Sequence, residues 1–209
     1  MPLARTFDPA SGKIVSTVHD ALADRLSRWS DIQEYLPFLY EQARSRPGVR
    51  VLELGARRGN STLAFLAGAT ESGGHVWSSD IDNVLRHPDG IGPWAGCPRW
   101  TFVCGDDMNP AAQALLPPEV DVLFVDSSHE YLHTLEECRA YVPRVAPGGV
   151  VLFHDTNIYD WPGYGWTGDV PPVQQALSEY CAEAGLSWEN LDGAYGMGVI
   201  RVDGEPPAA

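Results

Sequence analysis

Short apolar runs alternate with longer stretches of helical periodicity from residue 51 onward. Runs bounded by Gly, Pro or Asp are typical of buried strands, and apolar positions three and four apart are typical of helices. The pattern predicts strands at Val51–Leu54, His75–Ser79, Trp100–Cys104, Asp121–Val125 and Val150–Phe153. It predicts helices at about Ser61–Gly68, Tyr131–Val142 and Val173–Ala184. This alternation indicates an α/β fold with a parallel sheet.

The two ends of the chain follow different patterns. Two short runs, Leu186–Glu189 and Gly198–Val202, are separated by Asp192-Gly193, a turn signal that favours an antiparallel hairpin. Upstream, helical spacing predicts helices that cover the sheet, through Trp29, Ile32, Leu36, Leu39 and Tyr40. Pro37 either splits this segment into two helices or kinks one. We expect one domain: a helical segment over 1–48, a core over 49–203 and a tail over 204–209.

The segment after the first strand carries the clearest chemical signal. Its spacing is Glu53-x-Gly55-x-x-x-Gly59, which differs from the Gly-x-Gly-x-x-Gly of dinucleotide-binding proteins. Glycine permits a sharp turn and a close approach of a ligand, and a helix N-terminus follows. The segment therefore predicts a site for a cofactor with a carboxylate and a cation in place of a pyrophosphate. Ser61 either binds that carboxylate or caps the helix.

An acidic residue stands at the end of every one of the first five predicted strands. These residues are Glu53, Asp80, Asp106, Asp126 and Asp155. Ligands of open parallel sheets bind beyond the carboxyl ends of the strands, so the acids are expected to line one crevice. Asp80 is placed to accept hydrogen bonds from ribose hydroxyls, and Asp106 from an exocyclic amine. Helix capping alone does not account for acids at all five strand ends.

Charge and composition exclude several classes of partner. The net charge of −14 and the pI of about 4.6 argue against binding to nucleic acid or to anionic membranes. No apolar stretch has the roughly 18 residues that a membrane span needs. The four cysteines form no Cys-x-x-Cys pair, which is typical of reduced thiols in a cytoplasmic protein. These features favour a small-molecule ligand, and they leave homo-oligomerisation open.

Taken together, the motifs resemble those of class I S-adenosylmethionine-dependent methyltransferases. The segment Glu53-Leu-Gly-Ala56-x-x-Gly59-x-Ser61 is similar to the cofactor loop of the catechol O-methyltransferase group. The segments 121–129 and 147–155 resemble the cephalosporin-hydroxylase and macrocin O-methyltransferase branch. The resemblance implies a Rossmann-like, mostly parallel seven-stranded sheet with a reversed terminal strand. It also implies a cofactor site formed by Glu53, Gly55, Ala56, Gly59, Ser61, Asp80, Asp106 and Asp126.

In the metal-dependent members of that branch, acids at the ends of strands four and five hold a divalent cation. Carried over, this implicates Asp126 and Asp155, with His154 as a third ligand. Hard oxygen ligands suit Mg²⁺ or Ca²⁺, and Mg²⁺ is the expected cation, whereas a histidine ligand shifts the preference toward Mn²⁺, Fe²⁺ or Zn²⁺. The other interpretation of His154 is a strand-end residue that bonds to backbone.

The resemblance further implies methyl transfer to a hydroxyl of a sugar, polyketide or aromatic natural product. His129 stands where these relatives place the group that removes the hydroxyl proton. Aromatic residues are expected to contact the acceptor, namely Tyr131, Tyr159, Trp161, Tyr164 and Trp166. Two alternatives remain: a protein of this fold that binds the cofactor but performs other chemistry or none, and a NAD-dependent dehydrogenase, which the glycine spacing disfavours.

Overall fold

The structure is a computed structural model that describes residues 6–8, 13–15, 17–87, 90–159 and 166–203. Its contacts group the chain into two compact units, residues 1–116 and 117–209. In the part of the chain that is described, no helix is long and apolar enough to cross a membrane.

The N-terminal unit opens with a short antiparallel hairpin and two helices. The hairpin pairs β1 (Thr6–Asp8) with β2 (Lys13–Val15), and α1 (Val18–Leu26) and α2 (Leu36–Arg44) follow. Pro37 lies in the first turn of α2, after a short 3₁₀ turn at Gln33–Tyr35. A proline lacks the N–H that this first turn leaves unpaired, so Pro37 separates two helical segments without kinking one.

Three parallel strands complete this unit. They are β3 (Arg50–Leu54), β4 (His75–Asp80) and β5 (Trp100–Cys104), with β4 in the middle. The helix α3 (Asn60–Ser72) connects β3 to β4, and a short α4 (Pro110–Gln113) follows β5. The prediction ended α3 at Gly68, but this glycine lies inside the helix. A Cβ at Gly68 would stand 2.5 Å from the Tyr40 carbonyl oxygen, so the glycine allows α2 and α3 to pack closely.

The C-terminal unit has four strands and two long helices. Its elements are β6 (Val120–Val125), α5 (Tyr131–Tyr141), β7 (Val145–His154), α6 (Pro172–Ala184), β8 (Trp188–Leu191) and β9 (Met197–Arg201). The strands β6 and β7 are parallel, whereas β9 runs antiparallel to both β7 and β8. All six residues of β6 are buried, as expected for a strand covered on both faces.

The predicted fold class is confirmed. The seven strands β3 to β9 are mostly parallel: their order is β5-β4-β3 in the N-terminal unit and β6-β7-β9-β8 in the C-terminal unit, and the last strand of the chain is the reversed one. The predicted strands agree with the structure to within one or two residues except β7, which begins five residues earlier, at Val145. The prediction missed α1, α4 and the β1–β2 hairpin. The domain boundaries at residues 48 and 203 stay a prediction.

Candidate cofactor loop and histidine–aspartate cluster

The predicted cofactor loop, residues 53–61, contains two glycines with left-handed backbones. Gly55 has a φ of 85° and donates its N–H to the Ser79 carbonyl at 2.8 Å. Gly59 has a φ of 78° and precedes the first residue of α3. A Cβ at Gly59 would lie 2.5 Å from the Cβ of Ile91. Both the backbone conformation and the close approach of Ile91 therefore require glycine at this position.

The Asp80 carboxylate holds the middle of this loop. One of its oxygens accepts the backbone N–H groups of Ala56 and Arg57 at 2.9 and 2.7 Å. Its other oxygen accepts the N–H of Asp82 at 2.8 Å. Arg57 itself has a φ of 46° and forms a 2.6 Å ion pair with Asp31. Asp80 thus joins the end of β4 to the glycine turn after β3.

Glu53 is fully buried, and its carboxylate accepts three side-chain hydroxyls. Ser61 donates to one oxygen at 2.6 Å, whereas Thr62 and Ser78 donate to the other at 2.7 and 2.5 Å. Ser78 in turn accepts the indole N–H of Trp100 at 3.0 Å. The hydroxyl of Ser61 is therefore directed at Glu53, and this network fixes the start of α3 against β3 and β4.

The third acid of this unit is also used locally. Asp106 is exposed, and its side chain accepts the N–H of Met108 at 2.9 Å. Its neighbour Asp107 is the buried member of the pair. The loop, Asp80 and Asp106 thus have the strand-end placement that the sequence predicted. Their contact with a cofactor stays a prediction.

In the C-terminal unit, two carboxylates and two imidazoles converge after β6 and β7. His154 Nδ1 lies 3.3 Å from Asp126 Oδ1 and 3.2 Å from Asp155 Oδ2. His129 Nε2 lies 3.8 and 3.4 Å from the same two oxygens. The structure thereby brings together the predicted metal ligands and the predicted catalytic base. We call these four residues the histidine–aspartate cluster.

Two members of the cluster have strained backbones. His129 and Asp155 both have a φ of 61°, in the left-handed region that non-glycine residues rarely adopt. Among the described residues, Arg57 of the cofactor loop is the third non-glycine residue with a positive φ. Such strain costs about 1–3 kcal/mol per residue and is concentrated at functional sites. Its location here supports a functional assignment for both predicted sites.

Burial and charge in the cluster are unusual. The side chains of His154 and Asp155 are only 1% and 2% exposed. Burial opposes protonation of His154, but the Asp126 and Asp155 carboxylates outweigh it and raise the pKa of His154 to about 10. Asp155 Oδ1 is buried and has no hydrogen-bond partner in the described part of the chain. A buried carboxylate oxygen of this kind is costly unless a ligand completes it.

The cluster fits a divalent cation. The donor atoms of Asp126, His154 and Asp155 all lie within 4.8 Å of one another. Donors bound to one cation at about 2.1 Å in octahedral geometry stand roughly 3 Å apart, close to the distances found here. The two carboxylates would neutralise the charge of a dication, and the incomplete Asp155 oxygen supplies a further donor.

Two further residues support the cluster, and neither was predicted from the sequence. Glu137 on α5 is fully buried and accepts the hydroxyl of Ser127 at 2.5 Å, which fixes the loop between Asp126 and His129. The ring of Tyr195 stacks on His154 with centroids 6.0 Å apart. A Glu within a helix and a Tyr within a hairpin have no sequence signal of their own.

The aromatic residues predicted to contact the acceptor have mixed surroundings. The phenol of Tyr131 donates to Glu179 at 2.5 Å, and its ring lies 5.5 Å from that of Trp166. The Trp166 indole donates to the Val170 carbonyl at 2.7 Å. Tyr159 is exposed, whereas Trp161 and Tyr164 lie outside the described residues. Their role toward an acceptor stays a prediction.

Solved structures share this fold at low sequence identity. One is the O-methyltransferase from Bacillus cereus in complex with SAH, at 17% identity, with 90% of this chain and 92% of that chain covered and a TM-score of 0.63. Another is the O-methyltransferase TomG from Streptomyces achromogenes, involved in tomaymycin synthesis and solved with SAM. Its identity is 17%, the coverage 88% and 90%, and the TM-score 0.60. The similarity confirms the class I methyltransferase fold.

Sequence comparison supports the same assignment. A 68-residue segment is 29% identical to the uncharacterized protein R132 of Acanthamoeba polyphaga mimivirus, and covers 32% of this chain and 27% of that protein. The Methyltransferase domain family matches residues 52–156, which are 105 of the 209 residues and include the cofactor loop and the histidine–aspartate cluster. The chain belongs to this methyltransferase family.

Proposed function

We propose that the protein is an S-adenosylmethionine-dependent O-methyltransferase that uses a divalent cation. Its acceptor is a hydroxyl of a small molecule such as a sugar, a polyketide or an aromatic natural product. The observation that carries this proposal is the histidine–aspartate cluster, which combines a base, two carboxylates and an incomplete buried oxygen. Hydroxyl methylation benefits from a base, because an alcohol must lose a proton to become a good nucleophile, and a cation held by the carboxylates would ease that loss.

In this proposal the cofactor loop and its supporting acids bind the methyl donor. The glycine turn and the start of α3 present backbone N–H groups, which suit the carboxylate of the methionine part. Asp80 would bind the ribose and Asp106 the adenine amine, in exchange for or in addition to their present contacts. The eight residues assigned are Glu53, Gly55, Ala56, Gly59, Ser61, Asp80, Asp106 and Asp126.

The histidine–aspartate cluster would carry the chemistry. Asp126, His154 and Asp155 would hold the cation, whose positive charge would lower the pKa of an acceptor hydroxyl. His129 Nε2, within 3.8 Å of both carboxylates, would take the hydroxyl proton. S-adenosylmethionine, when bound, would supply the methyl group: the O–C bond would form as the C–S bond breaks, with its electron pair returning to sulfur. The products would be a methyl ether and a neutral thioether, and His129 would release its proton to water.

The chemical class of the acceptor is inferred from the net charge of the protein and from a protein of the same fold. The net charge of −14 disfavours nucleic-acid acceptors. TomG, which shares the fold, is described as acting in the synthesis of tomaymycin, and this supports a natural-product acceptor. We expect a protein of the cytoplasm that has no membrane partner and that forms homo-oligomers if it has any protein partner.

The test has two parts. Isothermal titration should show binding of S-adenosylmethionine and not of NAD. Incubation with a labelled methyl donor and a panel of hydroxylated sugars, polyketides and catechols should give a methyl ether. Exhaustive chelation should remove this activity, and readdition of a divalent cation should restore it. Methyl transfer that survives chelation, or that tolerates both Asp126→Ala and His129→Ala, would sink the metal-and-base mechanism. Cofactor binding with no acceptor methylated would favour other chemistry.

A further inference from the structure

We propose that His154, already a cation ligand in the proposed function, makes the site select a borderline transition metal such as Mn²⁺ over Mg²⁺. This inference rests on the proposed function only in taking the cluster as the cation site. It assigns His154 the role of choosing which cation the enzyme uses.

The first argument is geometric. His154 Nδ1 is nearly equidistant from Asp126 Oδ1 and Asp155 Oδ2, at 3.3 and 3.2 Å. These spacings match adjacent donors around one octahedral ion, about 3 Å apart. A cation that binds both carboxylate oxygens therefore has the imidazole nitrogen at its third position, without a change of rotamer.

The second argument is that packing restricts the rotation of the His154 imidazole. His154 lies at the end of β7, is 1% exposed and stacks on the ring of Tyr195. A surface histidine can leave a cation and be replaced by water, but this one is held in place by its packing. The nitrogen is thus a fixed feature of the donor set.

The third argument is chemical. Mg²⁺ prefers oxygen ligands and dehydrates reluctantly, whereas imidazole suits Mn²⁺, Fe²⁺, Co²⁺ and Zn²⁺ increasingly along the Irving–Williams order. Asp155 Oδ1, which has no hydrogen-bond partner in the described residues, adds a further donor. The site can therefore reach a higher coordination number than the four of a tetrahedral zinc site. The mixed set therefore favours an octahedral transition metal.

The experiment uses the full chain after chelation and desalting. Affinities for Mn²⁺ and Mg²⁺ are measured by competition with a metal indicator in the absence of cofactor and acceptor. Electron spin-echo spectroscopy of the Mn²⁺-loaded protein then detects a directly bound ¹⁴N. We expect Mn²⁺ to bind at least about tenfold more tightly than Mg²⁺, and we expect a clear ¹⁴N modulation.

Three variants assign the nitrogen. The modulation should be lost in His154→Asp, with the ratio of Mn²⁺ to Mg²⁺ affinity reduced at least about tenfold. It should survive in His129→Gln. The matched control is His19→Gln. His19 is an exposed histidine of the N-terminal unit, where it pairs with Glu71. Absence of ¹⁴N modulation in the wild-type protein overturns the inference without any variant. An affinity ratio unchanged in a folded His154→Asp also overturns it.

The outcome can be separated from that of the proposed function. If no acceptor is methylated with any cation while the ¹⁴N signal is present, the proposed function fails and the metal assignment stands. If methyl transfer proceeds with Mg²⁺ and no nitrogen coupling is found, the function stands and the assignment of His154 fails.

Discussion

The two predicted sites use their acidic residues in opposite ways. At the cofactor loop and its supporting strand β4, Glu53 accepts three hydroxyls and Asp80 accepts three backbone N–H groups. In the histidine–aspartate cluster, the carboxylates of Asp126 and Asp155 face imidazoles at 3.2–3.8 Å, and one buried oxygen of Asp155 has no hydrogen-bond partner in the described residues.

The difference separates acids that build a site from acids that are left for a ligand. A carboxylate saturated by internal donors stabilises the fold and presents the surrounding backbone to a cofactor. A carboxylate with incomplete coordination costs stability, and the fold retains it where a ligand completes it. Both kinds follow a strand, so position in the sequence alone does not distinguish them.

The largest expected effect tests the cluster as a site of function rather than of stability. His129→Asn removes the proposed base but keeps a residue that tolerates the left-handed conformation. We expect kcat for methyl transfer to fall about 10²–10⁴-fold, because the acceptor proton loses its base. The free energy of unfolding should stay within about 1 kcal/mol of the wild-type value.

Steady-state kinetics and urea unfolding measure the two quantities. S-adenosylmethionine affinity should be unchanged, and His19→Asn serves as a surface control. If the variant loses stability together with activity, His129 supports the fold, and the cluster is not a site of function alone.

The next effect tests Glu53 as part of the scaffold. Glu53→Ala leaves three buried hydroxyls without their common acceptor, and we expect a loss of about 3–5 kcal/mol in the free energy of unfolding. Glu53→Gln keeps an amide oxygen and should lose less. Urea unfolding of both variants checks this order. If Glu53→Ala weakens cofactor binding but leaves stability unchanged, Glu53 is a ligand and not a support.

A smaller effect separates two reasons for the glycine at position 59. Gly59→Ala introduces a side chain at a φ of 78° and 2.5 Å from Ile91, and should cost about 2–4 kcal/mol. Gly73→Ala has the strain without a collision, since nothing lies within 4 Å, and should cost about 1–2 kcal/mol. Gly96→Ala has neither and should be near neutral. Thermal unfolding of the three variants measures these costs, and equal losses at positions 59 and 73 would show that the Ile91 contact is relieved by relaxation.

The smallest effect is a pH dependence in the N-terminal unit. Partial burial and the Arg99 charge lower the pKa of His75 below its ordinary value of 6.5. The unfolded chain therefore binds a proton at a higher pH than the folded chain does, and stability is lost as the pH falls from 6.5 through the folded pKa. The urea midpoint of the wild-type protein should drop more between pH 7.5 and 5.5 than that of His75→Gln. An equal drop in both would exclude His75 as the source.

The sequence predicts the fold well because the strand signals are local. β-Branched runs bounded by Gly, Pro and Asp locate β3 to β6 closely, and the turn at Asp192-Gly193 locates the reversed hairpin. The errors arise where tertiary packing overrides a local signal. Gly68 reads as a helix end but serves the contact between α2 and α3. The predicted strand begins at Val150, yet Pro147, Gly148 and Gly149 before it also lie within β7.

The residues of the candidate site could be predicted from the sequence, but the hydrogen bonds and contacts that hold them could not. Strand-end acids are visible as a pattern, and so are His129 and His154 beside them. The hydroxyls that engage Glu53 come from α3 and β4, and the supports of the cluster come from α5 and the terminal hairpin. Such convergence depends on three-dimensional packing, for which the sequence offers no periodic signal.

The left-handed backbones at Arg57, His129 and Asp155 have a consequence for attempts to engineer this enzyme. Directed evolution for heat resistance rewards glycine or asparagine at such positions, because either residue relaxes the chain there. The same exchanges would delete the proposed base at residue 129 and a proposed cation ligand at residue 155. A thermostability screen without an activity screen would therefore select a more stable but inactive protein. Mutant libraries should keep these three codons constant.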